Sequence, residues 1–315
     1  MLKVGLFDLG GKIPNLALMK ISTYHRAMGD MVSMGSGGDL NYISCVFNKH
    51  RLMAEHIMEV CPNSVVGGPG WNPDVSLPPE INTCRPDYSL YGIDYGLGRL
   101  TAGCPSDCEY CVVPRTEGRE VKTVASIGDI SNLRGDLSVL LDANILAGAD
   151  WTDHFREIQK HGGWVDFTQG LDIRMVTDLA AAEIAKLKIT SLEAWKKAQQ
   201  KGKRLRKGQV HFAWDRMENE QHVRYGIKLL SQYMTPDRLT FYMMVNYNTS
   251  WEEDWYRFEV LRSLRTHPFV MLYGQAPEKL HHFARWVNRR IYKVCEWRDY
   301  NRFQENQYEQ LKLFA

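Results

Sequence analysis

The sequence predicts an α/β protein in two parts: a small parallel-sheet domain, followed by an open or partial (β/α)6 barrel. Two observations carry this. Over residues 1–70, short apolar runs and helix-period runs alternate as strand, helix, strand, helix, strand, the order of a small parallel sheet. From residue 93 onward, six more apolar runs alternate with amphipathic ones, the repeating unit of a parallel α/β barrel. The resulting organisation is a first domain over 1–70, a proline-rich linker over 71–92, a barrel over 93–275 and a C-terminal helical extension over 276–315.

Taken in order, KVGLFDL reads as a buried strand and NLALMKISTYHRAMG as a helix, with Leu16, Met19, Tyr24 and Met28 near helical spacing. DLNYISCVF is the second strand, HRLMAEHIMEVC the second helix, and NSVVGGPGW a third strand running into glycines. The barrel strands are expected at GRLTAG, DLSVLLDAN, GWVDFTQGLD, QVHFAWD, LTFYMMVNY and PFVMLYG. Between them, TDHFREIQKH, VTDLAAAEIAKLKI, EQHVRYGIKLLSQYM and EEDWYRFEVLRSLR read as amphipathic helices. Several strands end in polar residues, and parallel α/β folds gather their sites at the C-terminal ends of strands.

The 315 residues carry 39 basic and 37 acidic side chains, a net charge of +2, so no whole-molecule field announces nucleic acid or membrane. No stretch approaches the roughly 20 apolar residues that span a bilayer. The apolar run in MLKVGLFDLGG is too short for a secretory leader, and seven cysteines with three in eight residues suit a reducing compartment. The expected location is the cytoplasm.

Those three, Cys104, Cys108 and Cys111, stand in CPSDCEYCVVPR, and no fourth cysteine follows until Cys295. A structural zinc site takes four protein ligands. Three thiolates on a [4Fe–4S] cluster leave one iron open, where a small molecule can bind and receive an electron. A zinc site would need a fourth ligand such as His154, His161 or Cys84.

The loop resembles the signature of the radical S-adenosylmethionine (radical SAM) superfamily, C-x3-C-x-aromatic-C after the first barrel strand, here Cys104, Cys108, Tyr110 and Cys111 after GRLTAG. Through NLALMKIS, YISCVFNKHR, VGGPGW, FTQGLDIR and RWVNRR the layout is similar to members with an N-terminal cobalamin-binding-like domain. The resemblance implies a partial TIM-type barrel behind a Rossmann-like domain. It also implies a cluster on the three thiolates, SAM on the fourth iron, and reductive cleavage to a 5′-deoxyadenosyl radical. It places Tyr110 beside the cofactor. In the absence of the family's paired glycines after the second strand, Asp142 and Asn144 are candidate SAM contacts. Gln169 and Arg174 are candidates for the ribose and carboxylate of SAM, with Asp215 and Asn246 facing adenosine or substrate.

Two departures stand out. A cobalt-ligating domain carries Asp-x-His-x-x-Gly after its first strand, whereas this loop reads DLGGKIPN and His25 lies along the following helix. The domain is therefore expected to keep the fold without cobalamin. Cys45, Cys61 and Cys84 could echo the second cluster of methylthiotransferases, but they read better as buried thiols, as does Cys295.

An open cluster requires a reductant of the flavodoxin or ferredoxin type. Between Lys186 and Lys207, nine Lys/Arg face only Glu193. The segment Lys196–Lys207 and the C-terminal basic helix, with Trp286, Tyr292, Trp297 and Tyr300, are candidate nucleic-acid contacts. The expected activity is thus modification of an unidentified nucleic acid or small metabolite. A zinc-bearing nucleic-acid-binding or scaffold protein is the alternative.

Overall fold

A computed structural model of the chain describes residues 1–300; residues 301–315, the end of the expected C-terminal extension, lie outside the described residues. The protein is mixed α/β with several parallel sheets. It forms two compact units, Met1–Gln169 with Leu187–Arg206, and Gly170–Lys186 with the chain from Lys207 onward.

In the first unit, β1 (Lys3–Leu9), β2 (Met31–Met34), β3 (Leu40–Cys45) and β4 (Ser64–Gly67) form a parallel sheet in the order β2-β1-β3-β4. The helix Leu16–Ala27 starts where Asn15 accepts the Leu18 N–H at 3.1 Å, a capping bond that satisfies a donor the helix cannot. Its Leu18 and Ile21 bury against Val4 and Leu6. The edge strand β2 escaped the sequence reading because its MVSM carries no burial signal: three of its four residues are exposed.

The linker holds a short helix, Pro79–Asn82, and leads into a second group of strands. These are β5 (Gly96–Gly98), β6 (Thr101–Ala102), β7 (Lys122–Thr123), β8 (Leu137–Leu140) and β9 (Trp164–Phe167). Strands β5-β8-β9 form a parallel sheet in chain order, while β6 and β7 pair antiparallel across the cysteine loop. GRLTAG, expected as one strand, is thus divided between β5 and β6. Tyr95, Leu97, Leu137 and Val139 pack with Met19 and with Trp195 from the helix Leu192–Gln200. Each such side chain contributes roughly 1.5–3 kcal/mol by leaving water.

In the second unit, β10 (Val210–Ala213), β11 (Leu239–Val245) and β12 (His267–Leu272) form a parallel sheet in chain order. The helices Asp178–Lys186, Glu220–Leu230, Trp251–Ser263 and Glu278–Asn288 belong with it. Ser250 and Glu253 close a reciprocal capping box that starts the third of these. Of the four aromatic residues read as base-stacking candidates, Trp286, Tyr292 and Tyr300 are core and Trp297 is half-buried. Trp286 stacks on Trp255 at 5.9 Å and meets Phe258 at 5.1 Å, while Tyr292 and Tyr300 are buried. Burial of those three removes the faces that stacking would need, while Arg285, Arg289, Arg290, Lys293 and Arg298 are exposed basic groups of this region.

Candidate metal centre

Strand β6 ends at Ala102, and the chain turns at Gly103 with φ +103°, a left-handed geometry natural to glycine. A Cβ there would stand 2.1 Å from the Glu120 carbonyl oxygen, so the two ends of the cysteine loop can approach only without one. The Cys104 N–H donates to the Gly118 carbonyl at 3.0 Å, and Cys111 N–H donates to the Cys108 carbonyl at 2.9 Å. The loop is therefore closed at its neck and tightened at its tip, with Cys104, Cys108 and Cys111 as half-buried free thiols.

Two carboxylates hold the neck. Asp142, after β8, is buried and accepts the Leu100 N–H at 3.1 Å, the Thr101 N–H at 2.6 Å and the Thr101 hydroxyl at 2.7 Å. Burial pushes its pKa up, and the donors of Thr101 and Leu100 pull against that. Asp142 had been expected at SAM; its oxygens are instead spent fastening the β5–β6 corner. Glu117 accepts the Gly103 N–H at 3.1 Å and pairs with Arg99. Nothing in the residue pattern singled out Glu117, because its partners are set by loop closure.

Asn144 is buried, and its Nδ2 donates to Cys104 Sγ at 3.6 Å. Of the polar residues chosen after β8, it is the one bonded to one of the three loop cysteines. Burial pushes the Cys111 thiol up; the nearby Cys108, Cys104 and Glu117 add to this, while a backbone bond from Val113 opposes it. Three half-buried thiols on one short loop are a donor set whose natural counterpart is a metal assembly, since the thiolate is the metal-binding form. An all-sulfur set of three fits an iron–sulfur cluster. Among the described residues, no three His, Cys, Asp or Glu side chains form a group able to hold one metal ion. Such an ion needs all its sulfurs about 2.3 Å from one point, whereas a cubane takes each thiolate on a different iron. His154 bonds Thr123 at 2.9 Å through Nε2, and Cys84 donates to the Glu80 carbonyl at 3.2 Å.

The other candidates are placed as follows. Tyr110 is half-buried in the loop, and Gln169 is exposed at the end of the first unit. Arg174, in the second unit, already holds a carboxylate: its Nε and Nη2 meet the two oxygens of Asp172 at 2.8 and 2.6 Å. The fork geometry expected for a ligand is used within its own turn. Asp215 accepts the Met244 N–H at 2.7 Å, and Asn246, at φ +66°, donates to the Tyr273 and Gln275 carbonyls at 2.8 and 3.2 Å. Both fasten strand ends of their own sheet.

The loop after β1 carries no histidine. His25, expected half-exposed, is buried, with Nδ1 on Asp30 at 2.9 Å and Nε2 on the Tyr42 hydroxyl at 3.0 Å, so both ring nitrogens are engaged. Asp8 accepts the Tyr91 hydroxyl at 2.6 Å and the Gly10 N–H at 2.8 Å. Neither the loop after β1 nor His25 offers a free imidazole to a cobalt ion. Of the remaining cysteines only Cys45 is fully buried; Cys61, Cys84 and Cys295 are partly exposed, which corrects their reading as core thiols.

No family model matches the chain, and no curated protein matches it. No helix among the described residues is long and apolar enough to cross a membrane.

Proposed function

We propose that the protein is a radical SAM enzyme whose Cys104, Cys108 and Cys111 hold a [4Fe–4S] cluster. The observation that carries this reading is the three-thiol loop itself: closed at Gly103, fastened by Asp142 and Glu117 beyond the end of β5, and contacted at Cys104 by Asn144. A cluster bound there supplies one electron and an open iron to S-adenosylmethionine, whose reductive cleavage releases a 5′-deoxyadenosyl radical. The chain's own contribution is positional. Asp142 and Thr101 fix where the loop departs, the Gly103 turn lets its ends meet, and partial burial of the thiols limits water at the site.

A partial (β/α)6 barrel is the fold we assign to this activity. Support comes from the strands: β5-β8-β9 and β10-β11-β12 each run parallel in chain order, as successive staves of such a barrel do. Single bridges, Val165 with Ile189 and Leu171 with Phe212, extend the parallel pairing beyond each set. The sheet β2-β1-β3-β4 before it is read as a Rossmann-like domain that has kept its fold without cobalamin. The electron comes from a cytoplasmic donor of the flavodoxin or ferredoxin class.

The substrate we favour is a nucleic acid. Lys201, Lys203, Arg204 and Arg206 are exposed, and none makes an ion pair among the described residues, which suits phosphate contacts. The test is anaerobic purification with iron and sulfide quantified, then dithionite, SAM and chromatography for 5′-deoxyadenosine. About four irons per chain with SAM cleavage is the expected result. Stoichiometric zinc without cleavage would replace this reading with that of a zinc-bearing binding protein.

A further inference from the structure

We infer that Asn144 is a potential-setting residue: its side-chain amide, hydrogen-bonded to Cys104 Sγ, raises the reduction potential of the cluster held by the three cysteines. This rests on the reading of the loop as an iron–sulfur site. Asn144 lies four residues beyond the end of β8 and opens the turn Ile145–Ala147, with the Ala147 N–H donating back to its carbonyl at 3.2 Å. Its backbone is thus held in a hydrogen-bonded turn that follows the strand. At 2% exposure it is shielded from water, so its dipole acts at full strength on the sulfur it faces.

The physical consequence concerns charge. One electron from a flavodoxin- or ferredoxin-type donor adds negative charge that spreads onto the thiolate sulfurs, and hydrogen bonds to those sulfurs favour the reduced state. The amide at 3.6 Å from Cys104 Sγ offers such a bond. Among the strand-end polars of the first unit, Asp142 faces the backbone of Leu100 and Thr101 and Gln169 is exposed, so the role falls to Asn144. Asn144 acts through Cys104 and is a positioning and tuning residue, with no contact to the reacting atoms required.

The experiment is a potentiometric titration of reconstituted protein, followed by electron paramagnetic resonance without SAM, comparing wild type with Asn144→Leu and Asn144→Ala. Both variants lack the donor; the first keeps the volume, and the second guards against misfit of the leucine. The expected result is a full iron complement in at least one variant with a lower midpoint, so that the reduced-to-oxidised ratio at a fixed potential falls on the order of tenfold. A wild-type midpoint in a variant with its full iron complement overturns the inference and leaves the enzyme reading intact. Loss of the cluster in both variants overturns it too, by showing that Asn144 serves assembly alone. Failure of wild type to take up iron removes the reading of the loop and the inference with it.

Discussion

The Arg257 guanidinium and the Asp254 carboxylate meet at 2.5 Å inside the second unit, both essentially without solvent exposure. Arg257 also donates to the carbonyls of Trp214 at 2.6 Å and Met244 at 2.8 Å, tying the ends of β10 and β11 to the helix Trp251–Ser263. Asp254 accepts the Thr249 hydroxyl at 2.6 Å. One ion pair therefore organises the C-terminal ends of two adjacent strands. Removing one partner strands a buried charge, so Arg257→Met is expected to cost about 3–5 kcal/mol. Adding Asp254→Leu to it should recover most of that. Urea unfolding of wild type, both single variants and the double variant measures both effects, and a loss in the double variant equal to the sum of the two single losses would show that the pair is not coupled.

Cys104→Ala, Cys108→Ala and Cys111→Ala should each abolish the intact cluster, while Cys45→Ala and Cys295→Ala retain it. Asp142→Ala removes the acceptor of three donors at the β5–β6 corner and should lower both iron content and melting temperature. Iron and sulfide analysis beside thermal unfolding separates the two groups. A full cluster in any one of the three loop variants would refute the ligand assignment.

Asp166 in β9 is buried and accepts the Leu192 N–H at 2.7 Å, and burial pushes its pKa up to about 6. The folded pKa lies above the unfolded value, so the folded state binds more protons between these two values. Stability is then greatest below the unfolded pKa and falls as pH rises towards 6, by on the order of 3 kcal/mol in all. Asp166→Asn removes the titration. Its stability relative to wild type should increase between pH 4.5 and pH 7, read from denaturant midpoints at about those two values. An unchanged difference across that window would show that Asp166 does not carry the titration.

Replacing Lys201, Lys203, Arg204 and Arg206 together with alanine should weaken binding of a single-stranded oligonucleotide and flatten its salt dependence. Each lost phosphate contact takes about 0.7 from the logarithmic slope for a single strand. Fluorescence anisotropy across a salt series gives both quantities. An identical slope in the quadruple variant would remove the segment from the interface.

Periodicity made the repeating elements legible. WVDF, VHFA and LTFYMMV are apolar runs bounded by turn residues, and helices such as Trp151–His161 place their apolar residues on one face, so local pattern and final structure agree. The same reading missed β2 and the β6–β7 ladder, which are short and depend on partners remote in sequence. The three cysteines stand out in the sequence as a candidate donor set because spacing and residue type are local properties.

What the strand-end polar residues do was decided by the tertiary structure. Asp142, Asn144, Asp215 and Asn246 occupy the positions where ligands are expected in parallel α/β folds, yet sequence cannot say whether an oxygen or amide will meet a ligand or a neighbouring backbone. Closure of the cysteine loop puts the Leu100 and Thr101 donors on Asp142 and Cys104 beside Asn144. By itself the sequence determined the alternation of strands and helices and the placing of three cysteines on one short loop. Only the folded chain decided which buried polar groups are consumed in holding that loop, because a buried donor or acceptor takes whichever partner packing brings within reach.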